Sequence, residues 1–167
     1  MHASRRTFLS ASVASTLVGG MALSRPARAA WDKGQTVTMP ALALLDGTTL
    51  DAAGLRGKLV VLEFWASWCP FCARQNPLIE ALYREHKSRG LEVVAVSIDK
   101  TRKAAEDYIR KHGYTFKAGM INPAYEAIFR LRKGLPQTYV IARDGRVVQF
   151  DMGEMFDEDI KAIARHL

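Results

Sequence analysis

Cysteine is scarce in this chain, with two in 167 residues. Two thiols cannot form a disulfide framework, and they cannot supply a four-ligand structural zinc site. The histidines, His2, His86, His112 and His166, are scattered too widely to complete such a set. Ala73 follows the second cysteine, where covalent haem attachment wants His. Long apolar runs are missing as well. The nearest, Phe8 to Leu23, is broken by Ser10, Ser12, Ser15, Thr16, Gly19 and Gly20 and falls short of the ~20 residues that span a bilayer comfortably. No Lys/Arg cluster with interleaved aromatics appears, which argues against a nucleic-acid partner. Repeats and low-complexity tracts are absent after residue 30.

The formal charge of +7 overstates the basicity of the folded part. Arg5, Arg6, Arg25 and Arg28 lie in the first 29 residues, which hold no acid, so the remainder carries about +3. Those residues have the order of a secretory signal: Ser4-Arg5-Arg6-Thr7-Phe8-Leu9, an apolar stretch, then Ala27-Arg28-Ala29. The arginine pair points to the twin-arginine route. The expected organisation is a signal over residues 1–29 and one domain over 30–167, long enough to bury a core without disulfides. Cleavage after Ala29 releases that domain, whereas retention of the signal tethers it to the membrane. Either outcome predicts a periplasmic or otherwise extracytoplasmic protein.

What the chain does have is Trp68-Cys69-Pro70-Phe71-Cys72, its two cysteines one helical turn apart. Before them, Leu59 to Ala66 is nearly all apolar, as in a strand buried on both faces. After them, Leu78, Ile79, Leu82 and Tyr83 continue a helical pattern to about Ser88, with Pro77 expected to kink it and Gly90 to close it. Upstream, Gln35 to Leu50 reads as two short strands around Asp46-Gly47. Downstream come a strand at Leu91 to Ile98, a helix from Thr101 to His112 and a short helix from Asn122 to Leu131. Strands at Gln137 to Ala142 and Arg146 to Phe150 follow, and then a last helix capped by Asp157. This order predicts an α/β fold: parallel early strands, a final antiparallel hairpin and helices on both faces.

A thiol reacts as its thiolate. At a helix start, Cys69 faces unpaired N–H groups and the positive end of the helix dipole, which stabilise that anion. Cys72, one turn in, is shielded and suits a resolving role. Glu63 is a carboxylate in an apolar strand, six residues before Cys69. Burial beneath the pair would raise its pKa and let it exchange a proton with Cys72 through a water; an ion pair or an exposed edge is the other reading. Pro136 leads directly into a strand. A cis Leu135–Pro136 bond would leave Leu135 backbone groups free for an extended substrate, although most X–Pro bonds are trans. Two thiolates also suit Cu(I), so copper delivery stands as an alternative to redox exchange.

Taken together, the Asp46-Gly47 hairpin, Arg56-Gly57-Lys58, Phe64-Trp65-Ala66-Ser67-Trp68-Cys69, Ile98-Asp99 and Leu135-Pro136-Gln137-Thr138 resemble the thioredoxin superfamily. Within it they are similar to the TlpA/ResA/CcmG-like extracytoplasmic oxidoreductases. The resemblance implies a thioredoxin fold: a central mixed sheet with an N-terminal hairpin extension. It implies that Cys69 is the exposed nucleophile, Cys72 the resolving thiol, Glu63 the buried acid and Pro136 a cis-proline. Trp68, Pro70, Phe71, Leu135 and Pro136 are then the residues that meet substrate. The cofactor is the redox-active Cys69–Cys72 pair itself, with no metal. Partners are extracytoplasmic protein thiols and disulfides, plus a membrane thiol electron donor. There are two departures. Gln75 stands where many cytochrome c maturation reductants carry Glu, and Pro70-Phe71 replaces their more usual dipeptide with Pro second. A disulfide oxidase or isomerase shares this fold, and potentials across it span roughly −270 to −120 mV.

Overall fold

The computed structural model describes residues 33–167, so the expected signal at 1–29 lies outside the described residues. Strands β1 (Leu42–Ala43) and β2 (Thr49–Leu50) form the expected hairpin. Asp46 Oδ1 holds its turn, accepting from the Thr48 N–H at 2.9 Å and the Thr48 hydroxyl at 2.7 Å. Then follow β3 (Leu59–Trp65), α1 (Pro70–His86), β4 (Leu91–Ser97), α2 (Arg102–His112) and β5 (Lys117–Met120). The chain ends with α3 (Pro123–Phe129), β6 (Gln137–Ile141), β7 (Val147–Met152) and α4 (Asp157–Ala162), the last running into a 3-10 turn.

The main sheet has the order β5-β4-β3-β6-β7. Its β3/β4 and β4/β5 pairs are parallel, and β3/β6 and β6/β7 are antiparallel. Two successive crossovers run the same way, from β3 to β4 to β5. The right-handed rule therefore puts α1 and α2 on one face, where Ile79, Leu82 and Ala105 pack with Leu59, Val61 and Trp65. Tyr125 and Phe129 of α3 cover Val60, Leu62 and Phe64 on the other. This two-residue alternation along β3 places Glu63 on the α1 face.

Three expectations are corrected. The stretch between α2 and α3 holds a strand, β5, that the sequence reading lacked. Helix α3 stops at Phe129 rather than Leu131, because Arg130 turns left-handed at φ 42°. Asp157 is the first residue of α4 and Phe156 its N-cap, whose N–H donates to Asp159 at 3.2 Å. Pro77 lies within α1, which continues through it.

The hairpin packs over β5, with Leu45 N–H donating to Ala118 O at 2.7 Å and Leu44 bridging Gly119. A Cβ on Gly119 would lie 2.7 Å from Leu42 Cγ and 2.8 Å from the Ala43 carbonyl oxygen. The backbone cannot yield as a flexible side chain would. Gly119→Ala is therefore expected to destabilise the domain by about 1–3 kcal/mol, read as a lower midpoint in urea. An unchanged midpoint would mean the hairpin does not hold the sheet edge this closely.

Candidate active site

Cys69 is the N-cap of α1, with extended backbone (φ −85°, ψ 115°) and Pro70 in the first helical position. Proline fits there because its missing N–H would have had no helical partner. The Cys69 Sγ accepts from the Cys72 N–H at 3.2 Å, one of the donors that the helix start leaves unpaired. The thiols are not bonded to one another in the structure. Cys72 is fully buried and Cys69 is 4% exposed. Cys69 is thus the member that meets solvent, but through a narrow opening rather than as the openly exposed thiol the resemblance implied. Burial pushes the Cys72 thiol well above the ordinary thiol range, and its neighbours Cys69 and Glu63 add to the rise.

Glu63 is fully buried on the α1 face, which rules out the exposed edge, and among the described residues its partners are amides rather than a Lys or Arg. Desolvation raises its pKa to about 8, against a lowering by the hydrogen bond from Gln75. The Gln75 Nε2 donates to Glu63 Oε1 at 2.9 Å and to Thr138 Oγ1 at 3.0 Å. Thr138 is Glu63's partner across the β3/β6 ladder, so one amide bridges two register neighbours. The Gln75 Oε1 accepts from the Met155 N–H at 2.7 Å, tying the loop before α4 to the same network. Asn76, its amide turned to satisfy its surroundings, donates to Glu63 Oε2 at 3.1 Å and to Cys72 O at 3.3 Å.

The turn before Cys69 is fixed from β4. Asp99 accepts from the Ser67 N–H at 3.0 Å, the Ser67 hydroxyl at 2.8 Å and the Ser97 hydroxyl at 2.7 Å. On the opposite side, the Leu135–Pro136 bond is cis. Gln137 holds the loop ahead of it, donating to Arg132 O at 2.7 Å and Gly134 O at 2.9 Å. The Leu135 N–H and C=O have no hydrogen-bond partner among the described residues.

These walls enclose a groove of about 470 Å³, lined by Trp68, Cys69, Phe71, Ile98, Leu131 and Leu135, with Pro70 beside them and Arg132 and Lys133 at its edge. Trp68 and Phe71 are 65% and 48% exposed. Arg74, on the far side of Phe71, is bound to Glu154 through two bonds of 2.7 and 2.5 Å. Of the expected site residues, Trp68, Cys69, Pro70, Phe71 and Leu135 share the groove wall, Pro136 follows Leu135 without lining the groove, and Cys72 and Glu63 are buried out of it. Asn76 is not singled out in the sequence, and Asp99, Gln137 and Thr138 enter there only as marks of the resemblance, without a role. A signal for the first was present: positions three and four after Cys72 lie on its face of a helix, which makes Gln75 and Asn76 inward residues. Among the described residues no group of three His, Cys, Asp or Glu stands ready for a metal.

A strand running into a helix-capping Cys-x-x-Cys, with an acid beneath and a proline loop beside it, defines a thioredoxin-fold thiol–disulfide oxidoreductase. Residues 32–165 match the Redoxin family, and the chain belongs to it. Thiol-disulfide oxidoreductase ResA of Bacillus thuringiensis (strain Al Hakam) is 30% identical over 124 residues, 74% of this chain and 71% of that protein. ResA of Geobacillus kaustophilus (strain HTA426) is 35% identical over 113 residues, 67% of this chain and 63% of that protein. Among solved structures, a thiol:disulfide interchange protein of the thioredoxin family from Chlorobium tepidum TLS aligns with TM-score 0.72 at 22% identity, over 80% of this chain and 96% of that one. StoA from Bacillus subtilis aligns with TM-score 0.64 at 21% identity, over 78% and 99%. These likenesses fix the fold. No helix among the described residues is long and apolar enough to cross a membrane.

Proposed function

We propose that this oxidoreductase is exported and reduces or exchanges disulfides in other extracytoplasmic proteins through a Cys69–Cys72 cycle. The observation that carries the reading is the asymmetry of the pair: Cys69 caps α1 and opens to the groove, while Cys72 is fully buried near Glu63. The Cys69 thiolate attacks one sulfur of the substrate disulfide. That S–S bond breaks, a Cys69–substrate disulfide forms, and the first substrate sulfur leaves as a thiolate that takes a proton from solvent. Ionised Glu63 accepts the Cys72 proton through a water. The Cys72 thiolate then attacks Cys69 Sγ, closing the Cys69–Cys72 disulfide and expelling the second substrate thiolate. Two electrons pass to the substrate, and Glu63 returns its proton to the departing thiolate.

The segment before residue 30, with Arg5-Arg6 and Ala27-Arg28-Ala29, supports twin-arginine export to the periplasm, with or without a retained tether. A membrane thiol donor then restores the dithiol. The acid stands at position 63 and its amide partner at 75, which favours general disulfide exchange over specialised apocytochrome reduction. Copper-site assembly is one setting for such general exchange, and cytochrome c maturation fits as one client process among others rather than as a dedicated task.

Equilibration of the full chain in thiol/disulfide buffers tests the direction of electron flow, with Trp68 at the groove as the fluorescent reporter. A potential at or below about −270 mV is expected for a reductant. A value near −120 mV would make the protein an oxidase or isomerase. If no Cys69–Cys72 disulfide formed at any poise, the cycle would be ruled out.

A further inference from the structure

The cations at the groove have no role in the cycle above. Arg132 and Lys133 follow Leu131 on the loop that Gln137 staples down, so their backbone is fixed beside Leu135. Both are exposed, and neither has a carboxylate partner among the described residues. Arg132 lies over the Phe150 ring at 5.3 Å, which orients its guanidinium without neutralising it. Arg74, stacked on the Phe71 ring, is by contrast already matched by Glu154. No acidic side chain lines the groove. Apart from Cys69 and Gln137, whose amide is engaged by the loop, the rest of the lining is apolar, so the two cations are the groove's only charges.

We propose that Arg132 and Lys133 make this groove selective for extended polypeptide segments that carry an acidic side chain two residues from the reacting cysteine. The inference rests on Cys69 being the attacking sulfur. A substrate cysteine whose sulfur meets Cys69 Sγ must point into the groove. In an extended chain, side chains two positions away point the same way, roughly 7 Å along. The open N–H and C=O of Leu135 offer such a chain a backbone partner in the same groove as Cys69 and the two cations. The acid meets Arg132 and Lys133, whose charge steers its approach.

The test uses symmetric disulfides of acetylated, amidated pentapeptides with sequence Xaa-Leu-Cys-Leu-Xaa, where Xaa is Glu or Lys. Each rate with the reduced full-length protein is divided by the same peptide's rate with mercaptoethanol, which removes the effect of flanking charge on intrinsic disulfide reactivity. The normalised Glu/Lys ratio is expected to be about 10 or more at low salt and to fall towards 1 near 0.5 M salt. In Lys133→Glu and Arg132→Gln/Lys133→Glu it is expected to drop to 1 or below. A wild-type ratio near 1, or one the substitutions leave unmoved, overturns the proposal. Failure to reduce either peptide, together with failure on the neutral disulfide of mercaptoethanol, refutes the Cys69 reading itself and the proposal with it.

Discussion

Serine in place of Cys69 is expected to lower the rate of protein-disulfide reduction by about 10³-fold or more, to the uncatalysed background. The hydroxyl ionises far above any working pH, and nothing around the α1 N-terminus replaces the sulfur: the neighbouring thiol, Cys72, is fully buried and its ionisation is opposed by burial and by Glu63. The partner substitution should behave differently. Cys72→Ser leaves the attacking sulfur at the groove but removes the group that releases the mixed disulfide. It should accumulate covalent adducts with substrate, visible as reductant-sensitive bands on a non-reducing gel. Reduction that survived Cys69→Ser would sink the mechanism, and adducts formed by Cys69→Ser rather than Cys72→Ser would reverse the two roles.

Glu63→Gln should make the protein more stable and less active. In the unfolded chain the carboxyl ionises near pH 4.5, and in the folded protein desolvation raises this to about 8. Below pH 4.5 both states hold the proton. Between the two values the unfolded chain releases a proton that the folded one keeps, so stability falls as pH rises, and the loss levels off above about pH 8. The full difference is about 5 kcal/mol, of which about 3 kcal/mol is already felt at pH 7. Glutamine removes that titration. Its carbonyl can still accept from Gln75, and Asn76 can turn its amide to accept from the new N–H group. Urea midpoints for wild type and variant should therefore nearly coincide at pH 4 and diverge by about 3 kcal/mol at pH 7. Over the same range the variant's exchange rate should drop by about 10²-fold and lose its inflection near pH 8. An equal rate with the inflection intact would return Glu63 to a purely structural role.

Much of the fold was legible because its signals are local. Asp46-Gly47 marks its hairpin, and the unbroken apolar runs at Leu59 and Leu91 mark the two central strands. Pro70 after Cys69 marks a helix start. Strand β5 was not legible: Lys117-Ala118-Gly119-Met120 has no β-branched residue and owes its conformation to β4 on one side and the hairpin on the other. At the site, Cys69, Cys72 and Glu63 stood out by rarity or by a charge in an apolar run. The side chains around them stood out less: Thr138 and Gln137 look like ordinary surface residues until the register between β3 and β6 brings them inside, and Asn76 is marked only by sharing the helix face of Cys72. Asp99 looks like the end of a strand, and only contact with Ser67 shows that it fixes the turn before the nucleophile.

The proposed partners, polypeptides with disulfides still being formed or exchanged, would present unpaired strands seeking an edge. The segment ahead of β3 bears on this hazard. Residues 34–37 bond to the β6–β7 hairpin, through Gly34 N–H to Val147 O and Val37 N–H to Gly145 O, and residues 42–45 lie along β5. One stretch of chain thus covers the β5 margin of the sheet and the start of β7 at the other, protecting these places against the edge-to-edge pairing that leads to aggregation. Leu135, next to the reactive sulfur, keeps its backbone groups open. In the proposed cycle a visiting strand would thereby be offered an open edge where its cysteine can react and few others where it would only stick.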